Sequence, residues 1–400
     1  MDPLKNPFSP GAGFRPPELA GRAEIMKRAN VLFGKTLNRT PEKSLLLTGL
    51  RGVGKTVLLS EMERIAKDEF GLFVMSIEAK GDHSLRSELT PIMQDVLFDM
   101  DRMAKIGGKA KNGFSVLKNF MAGLSISVGE VKLGFDINTV RQKDDEKTLE
   151  KDLPRVLETL LEIAKEQHKG IILFIDEIHY FKQNELKALL FSLHHSNKKQ
   201  LPFAIVGAGL PVIYEQLGEA KTYAERMFRF FDVGALSFED SKKAMKNPAK
   251  RMGADFSEPA LHEIYEKSKG YPYFLQEWGY HAWEYAETSP IAKQVVDNVT
   301  PDVLANLNTS FFRVRFDRLT ASEKQYLRAM AHIGGESVSS GQVAKALGKR
   351  VTDISLIRDT LVKKGMIYSP AFGQVAFTVP LFGDFMKRTI PRFVDKGRER

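Results

Sequence analysis

The chemistry of this chain is concentrated in two short stretches. Gly49-Leu50-Arg51-Gly52-Val53-Gly54-Lys55-Thr56 fits the pattern G-x-x-x-x-G-K-[ST] at every fixed position. Glycines let backbone N–H groups turn inward around a β-phosphate, and the helix that follows adds the positive end of its dipole. Lys55 is placed to reach the β- and γ-phosphates, and the Thr56 hydroxyl to ligate Mg²⁺. Val57 follows directly and is counted with the binding residues. The alternative is a glycine-rich turn that matches by chance. The flanks oppose it: Ser44-Leu45-Leu46-Leu47-Thr48 is an apolar run of strand length, and Val57 to Ala66 repeats apolar residues at helical spacing. Strand, turn and helix together imply a site for ATP and ADP.

The second stretch is Ile171-Ile172-Leu173-Phe174-Ile175-Asp176-Glu177, five apolar residues ending on two carboxylates. Such a run reads as a fully buried parallel strand. Ligands of open parallel sheets sit at the carboxyl ends of the strands, so both acids are expected to face the loop's nucleotide. Asp176 is the candidate Mg²⁺ ligand, directly or through water. Glu177 is the candidate base that orients and deprotonates the attacking water. An apolar run ending in Asp-Glu is common by itself; its pairing with the glycine-rich loop gives it meaning.

These groups need a scaffold, and the pattern of the chain supplies one. Residues 1–22 form a Pro- and Gly-rich arm, expected to lie extended over the surface. Residues 23–236 read as an α/β core: helices near 23–36, 84–106, 153–167 and 184–196 alternate with strands at 44–48, 71–78, 171–175, 203–207 and 230–236. Within it, residues 107–147 look like an insertion. Ser125 to Ile137 alternates apolar and polar residues around Gly129-Glu130, a hairpin signal, with an irregular loop as the alternative. Small residues, Gly207-Ala208-Gly209, follow the fourth strand and offer no polar sensor of the γ-phosphate. Arg226 and Arg229 precede the fifth strand. A guanidinium there could complete the site of a neighbouring subunit, which makes a homo-oligomer an expected partner. Arg226 is the preferred candidate, the alternative being that both are surface or salt-bridging arginines.

Residues 237–318 are purely helical, a lid of four helices, the second opening at Ser257-Glu258-Pro259 and the fourth running from Pro301 to Asp317. The aromatic stripe around Trp278 and Trp283 reads as core. Residues 319–390 give three helices (321–332, 340–347, 352–364) and then paired strands at 366–368 and 374–379, the order of a winged helix-turn-helix. In such modules the third helix enters the major groove of duplex DNA. Lys349, Arg350, Arg358, Lys363 and Lys364 are candidate phosphate contacts, while Asp353 and Asp359 on the same helix argue against a strongly basic reader. Residues 391–400 form a basic tail.

Composition sets the outer limits. The 400 residues carry no cysteine, which excludes disulfides and thiolate metal sites and suits a reducing cytoplasm. No apolar run is long enough to span a bilayer, and the first residues lack a secretory layout, so no membrane partner is expected. The net charge of +9 is uneven: from Leu319 onward there are 14 Lys and Arg against 7 Asp and Glu. That excess suggests an anionic partner such as DNA, or simply a solvated face with a charged tail.

With GLRGVGKT and IILFIDE in hand, the chain resembles an AAA+ or STAND-type P-loop ATPase. More narrowly, it is similar to bacterial ATP-binding proteins related to the origin-recognition and replication-initiator ATPases. PELAGR, VGAGLP, YAERMFRF and GYPYFLQE extend the likeness over nearly the whole chain. The resemblance implies that Leu19 to Arg22 line the adenine pocket, and that Gly270 and Pro272 form the lid's glycine-x-proline motif, with Pro272 near the base. It also implies a sensing arginine near this point, which Pro272-Tyr273-Phe274 does not offer. Together with the small residues after the fourth strand, this points to slow hydrolysis and a switch between ATP and ADP states. The expected function is an ATP-hydrolysing, DNA-associated switch. The alternative is a regulatory ATPase whose winged helix binds protein or drives self-assembly. Lys55→Ala is expected to abolish ATP binding in equilibrium titration; retained tight binding would overturn the loop assignment.

Overall fold

The structure is a computed structural model that describes residues 1–11, 13–81, 83–104, 113, 115–117, 120, 146–221 and 223–397. The expected hairpin at 125–137 lies outside the described residues. The chain groups into two compact units, one of residues 23–48 and 55–232, the other of residues 1–22, 49–54 and 233–400.

The first unit is an α/β layer structure. Strands β1 (Ser44–Thr48), β2 (Phe73–Glu78), β3 (Ile171–Asp176), β4 (Phe203–Gly209) and β5 (Phe228–Asp232) form one parallel sheet in the order β2-β3-β4-β1-β5. Burial follows position in that order. The central strands β1 and β4 are buried at every residue, whereas edge strand β2 alternates. This is what covering both faces of a parallel sheet requires. Leu89, Met93, Leu157, Leu161, Leu189 and Leu193, from three helices, belong to the buried cluster around β3. Strand β5 starts at Phe228 and stops at Asp232, earlier than its sequence suggests. Its register explains this, because Ser44 pairs with Phe228 and Thr48 with Asp232, and β1 has no further residue to offer.

Two helices start well before the points expected from the sequence. The helix expected from 153 runs Glu146–Glu166 with Pro154 inside, and the helix expected from Pro301 runs Lys293–Asn306. An interior proline forgoes one backbone hydrogen bond. Burial of Val296, Val299 and Val303 on one face of the second helix offsets that loss. Residues 307–312 then form a π-helical turn rather than a continuation of the α-helix.

In the second unit the helices Phe238–Arg251, Glu258–Ser268, Pro272–Tyr285 and Lys293–Asn306 enclose an aromatic core. Trp278 and Trp283 are both buried, and their indole N–H groups donate to Thr300 Oγ1 (3.2 Å) and Asp2 O (3.0 Å). The N-terminal arm does more than lie on the surface. Phe8 is only 2% exposed and meets Phe256 and Trp283 edge-on at 5.9 and 6.5 Å.

Further along, helices Ala321–Ile333, Ser340–Leu347 and Val351–Lys363 precede strands β7 (Ile367–Tyr368) and β8 (Gln374–Phe377). A two-residue strand, β6 (Val338–Ser339), pairs with β8 to give an antiparallel sheet in the order β6-β8-β7. A last helix, Phe382–Thr389, was not anticipated. It is held by Phe382 and Phe385, whose rings lie 5.8 and 5.3 Å from Phe312. Among the described residues, no helix is long and apolar enough to cross a membrane.

Gly270 takes a φ of +68°, and a Cβ there would lie 2.3 Å from the Leu236 carbonyl oxygen. Gly253 has a φ of +80° with nothing near a Cβ. Gly270→Ala should therefore cost about 3 kcal/mol of stability and Gly253→Ala about 1 kcal/mol in denaturant unfolding. Equal losses would contradict the close packing of Gly270.

Candidate active site

The boundary between the two compact units falls at the Gly54–Lys55 peptide bond, inside the glycine-rich motif. On the 49–54 side, Gly52 and Gly54 have φ of +83° and +94°, which side chains rarely tolerate. At Gly49 a Cβ would meet the Val233 carbonyl oxygen at 2.1 Å. The loop is thus glycine where its turns and its close approach demand it. Val53 is buried, whereas Leu50 and Arg51 are half-buried. The Tyr271 hydroxyl donates to the Arg51 carbonyl and is also within 3.3 Å of the Thr378 carbonyl oxygen. Burial raises its pKa above the usual tyrosine value, so it stays a protonated donor.

On the other side, Lys55 and Thr56 open the helix Lys55–Asp68, with Lys55 buried and Val57 half-buried. The Thr56 hydroxyl donates to Asp176 Oδ2 at 2.6 Å, across 120 positions of sequence. The other Asp176 oxygen accepts the Glu177 N–H at 2.8 Å. This brings together three of the expected site residues, Thr56, Asp176 and Glu177. Among the described residues, no group of three or more His, Cys, Asp or Glu could hold a metal ion by itself. A hydroxyl beside a carboxylate nevertheless suits Mg²⁺, a hard cation that takes few protein oxygens and completes its shell with phosphates and water.

Sequence reasoning missed one neighbour of this group. His179 is buried, and its Nδ1 lies 3.4 Å from Glu177 Oε2. The same nitrogen accepts the Leu210 N–H at 3.3 Å. A Cβ on Gly209 would sit 3.0 Å from Ile178 Cγ2 and 3.4 Å from His179 Nδ1. The end of β4 is therefore small because the turn after β3 packs against it, and the polar group there comes from His179. Only the pairing of β3 with β4 makes this visible. Glu177 itself adopts a left-handed conformation (φ 51°, ψ 35°), which is strained for a non-glycine residue and common at functional sites.

The residues assigned to an adenine pocket behave differently from one another. Arg22 Nη2 donates to the carbonyls of Gly234 (2.5 Å) and Val53 (3.3 Å), tying the arm to the loop. Burial pulls its pKa below the usual arginine value, and Asp240 partly opposes this. Leu19 and Pro272 are half-buried. A cavity of about 440 Å³ lies beside the loop, lined by Leu50, Val53 and Tyr271 together with Met330, Phe377 and Val379. Leu19, Arg22 and Pro272 do not line it.

Of the two arginines before β5, Arg229 lies 3.7 Å from Glu42 and is the salt-bridging one. Arg226 is exposed in the short helix Ala224–Met227. Three of the five cations expected to face DNA have intramolecular partners: Arg350 with Asp353 (2.9 Å), Arg358 with Asp359 (3.0 Å) and Lys364 with Glu323 (2.7 Å). Lys349 and Lys363 are exposed.

The parallel sheet and the loop-to-carboxylate contact are those of a P-loop NTPase fold. Residues 18–206 match the AAA ATPase domain family, and residues 309–386 match a domain of unknown function (DUF8462). No curated protein matches the sequence. Among solved structures, a Walker-type ATPase of Pyrococcus abyssi is similar in fold, at 17% identity and a TM-score of 0.58, covering 92% of this chain and 96% of its own. Orc1 of Aeropyrum pernix, solved in complex with DNA, matches at 14% identity and a TM-score of 0.46, covering 93% and 94%. Cdc6p from Pyrobaculum aerophilum matches at 13% identity and 0.45, covering 98% of both chains.

Glu177→Gln is expected to leave ATP affinity nearly unchanged and to slow phosphate release by about 100-fold or more in a steady-state assay. Undiminished turnover would remove Glu177 from the chemistry.

Proposed function

We propose that the chain binds and slowly hydrolyses ATP with Mg²⁺, and that the nucleotide state governs how residues 319–390, a winged helix, meet duplex DNA. The observation that carries the nucleotide half is the 2.6 Å contact between Thr56 and Asp176. In this reading, backbone N–H groups of residues 49–54 and the Lys55 ammonium hold the phosphates. Bound Mg²⁺ would neutralise phosphate charge, with Thr56 and Asp176 as its protein ligands. Glu177 orients the attacking water and takes its proton. Slow turnover agrees with a strained Glu177 and with a lid helix that starts Pro272-Tyr273-Phe274. Arg226, exposed, is the arginine that a second copy of the chain would present to a neighbouring site.

A switch of this kind works only if ATP and ADP favour its two arrangements by different amounts. DNA contact is supported by the excess of Lys and Arg after Leu319 and by the exposure of Lys349 and Lys363. A second reading, docking of protein, is favoured by a specific observation. Leu356, on the outer face of the helix Val351–Lys363, is 77% exposed between the self-neutralised pairs Arg350–Asp353 and Arg358–Asp359, and Phe372 is fully exposed.

Fluorescence anisotropy of a duplex, with ATP or ADP at two salt concentrations, separates the two. The DNA reading expects nucleotide-dependent binding that weakens with salt, and a doubly substituted Lys349→Glu/Lys363→Glu chain whose salt slope is smaller by about 2. Absence of binding in either nucleotide would sink it and leave ATP-driven association with protein, read by light scattering.

A further inference from the structure

Residues 391–400 read as a basic tail, yet the described part of that segment is strapped across two helices. Arg328, in the helix Ala321–Ile333, donates from Nε to the Ile390 carbonyl at 2.7 Å and from Nη2 to the Pro391 carbonyl at 3.3 Å. Its guanidinium lies 5.2 Å from the centre of the Phe393 ring, and that ring lies 5.0 Å from His332. His332 Nε2 is in turn 3.4 Å from Asp395 Oδ2, while Asp395 Oδ1 accepts the Gly397 N–H at 3.0 Å. Arg328 is only 6% exposed, burial lowers its pKa, and among the described residues no carboxylate pairs with it. Burying a cation is unfavourable, so one whose hydrogen bonds go to two tail carbonyls fixes the path of the tail.

That path ends on the C-terminus of the short helix Ser340–Leu347. Gly348, at a φ of +65°, closes the helix. Its N–H donates to the Lys345 carbonyl (2.9 Å) and the Lys349 N–H to the Ala344 carbonyl (3.0 Å). The Ala346 carbonyl takes its hydrogen bond from the tail, from the Lys396 N–H at 3.1 Å. A Cβ on Gly348 would meet Lys396 Cβ at 3.0 Å and Cδ at 3.1 Å, so the lysine stem lies along the turn. A Cβ on Gly397 would lie 2.7 Å from Lys345 Cγ. Lys345, Lys349 and Lys396 therefore meet at one helix end. All three are exposed, and among the described residues none of them forms an ion pair. A helix C-terminus carries about half a unit of negative charge, so it balances at most one of them. The surplus stands beside the turn into the helix Val351–Lys363, where Arg350 and Arg358 are neutralised by Asp353 and Asp359.

We propose that Lys345, Lys349 and Lys396 form one phosphate-binding strip for the backbone of duplex DNA, with the C-terminal segment as a working part of it. This rests on the DNA reading above and deepens it. The electrostatic contact moves from the outer face of the helix Val351–Lys363 to the turn before it, and gains a segment beyond residue 390. Ammonium groups suit such a contact, since each neutralises a phosphate without reading a base. The strap holds Lys396 in the strip before DNA arrives, so less ordering is needed on binding.

The test measures fluorescence anisotropy of a labelled mixed-sequence duplex with the full-length chain, in the nucleotide state that binds, over a series of salt concentrations. Lys345→Gln/Lys396→Gln should reduce the slope of log affinity against log salt by about 2. A control of equal charge, Lys27→Gln/Lys198→Gln, replaces exposed lysines of the other compact unit and should leave the slope unchanged. Arg328→Met, which releases the tail but keeps all three lysines, should reduce the slope by about 1. Thermal unfolding shows whether each variant is folded; if Arg328→Met is not, the lysine pair decides. An unchanged slope for Lys345→Gln/Lys396→Gln, or an equal change in the control, would overturn the strip. A folded Arg328→Met chain with the wild-type slope would overturn the part played by the strap. Wild-type protein that binds no duplex would overturn the DNA reading, and this inference with it.

Discussion

A hydroxyl and a carboxylate 2.6 Å apart, Thr56 Oγ1 and Asp176 Oδ2, are the constraint around which the α/β unit is built. One ends a buried strand and the other opens a helix, so both β3 and the helix Lys55–Asp68 must be placed to within a few tenths of an ångström. The parallel sheet does this. Strand β3 is locked between β2 and β4 by continuous registers on both sides, and every one of its residues before Asp176 is buried. Movement of β3 by one residue would turn its side chains to the opposite face and take Asp176 away from Thr56.

The other unit is organised around aromatic packing rather than a sheet. Phe8, Phe256, Trp278 and Trp283 occupy one part of it, and Tyr273, Phe274, Phe311, Phe312, Phe382 and Phe385 form a chain of ring contacts through another. Aromatic side chains bury large areas with few rotatable bonds, which suits a helical assembly that must stay ordered while presenting polar groups at its edge. Tyr271 shows how this works. Its ring is buried, and its hydroxyl reaches the carbonyls of Arg51 and Thr378, while Thr378 in turn donates to the Gly365 carbonyl at 2.6 Å. The glycine-rich loop is thereby joined by hydrogen bonds to the turn that follows the helix Val351–Lys363.

That helix illustrates the difference between counting charges and locating them. By composition the segment after Leu319 is basic. In three dimensions Arg350, Arg358 and Lys364 are engaged with carboxylates of the same segment, which leaves a smaller outward charge and an exposed Leu356. Exposed pairs of this kind are individually weak, so a strong anion could displace them.

The phosphate loop, the acidic strand end and the order of strands and helices could be read from the amino acids alone, because each depends on residues adjacent in sequence. Glycines at 52 and 54 answer to local backbone needs, and five consecutive apolar residues next to such a loop read as a strand buried on both faces. The helices expected to start near Leu153 and at Pro301 begin earlier, at Glu146 and Lys293, since burial along a helix face outweighs local signals such as a proline's preference for the first turn. The helix Phe382–Thr389 escaped notice because its apolar residues find their partners in Phe312 and Phe316, far back in the chain. What brought His179 close to Glu177 and to the end of β4 was likewise decided only by tertiary structure, because that contact is made when β3 packs against β4.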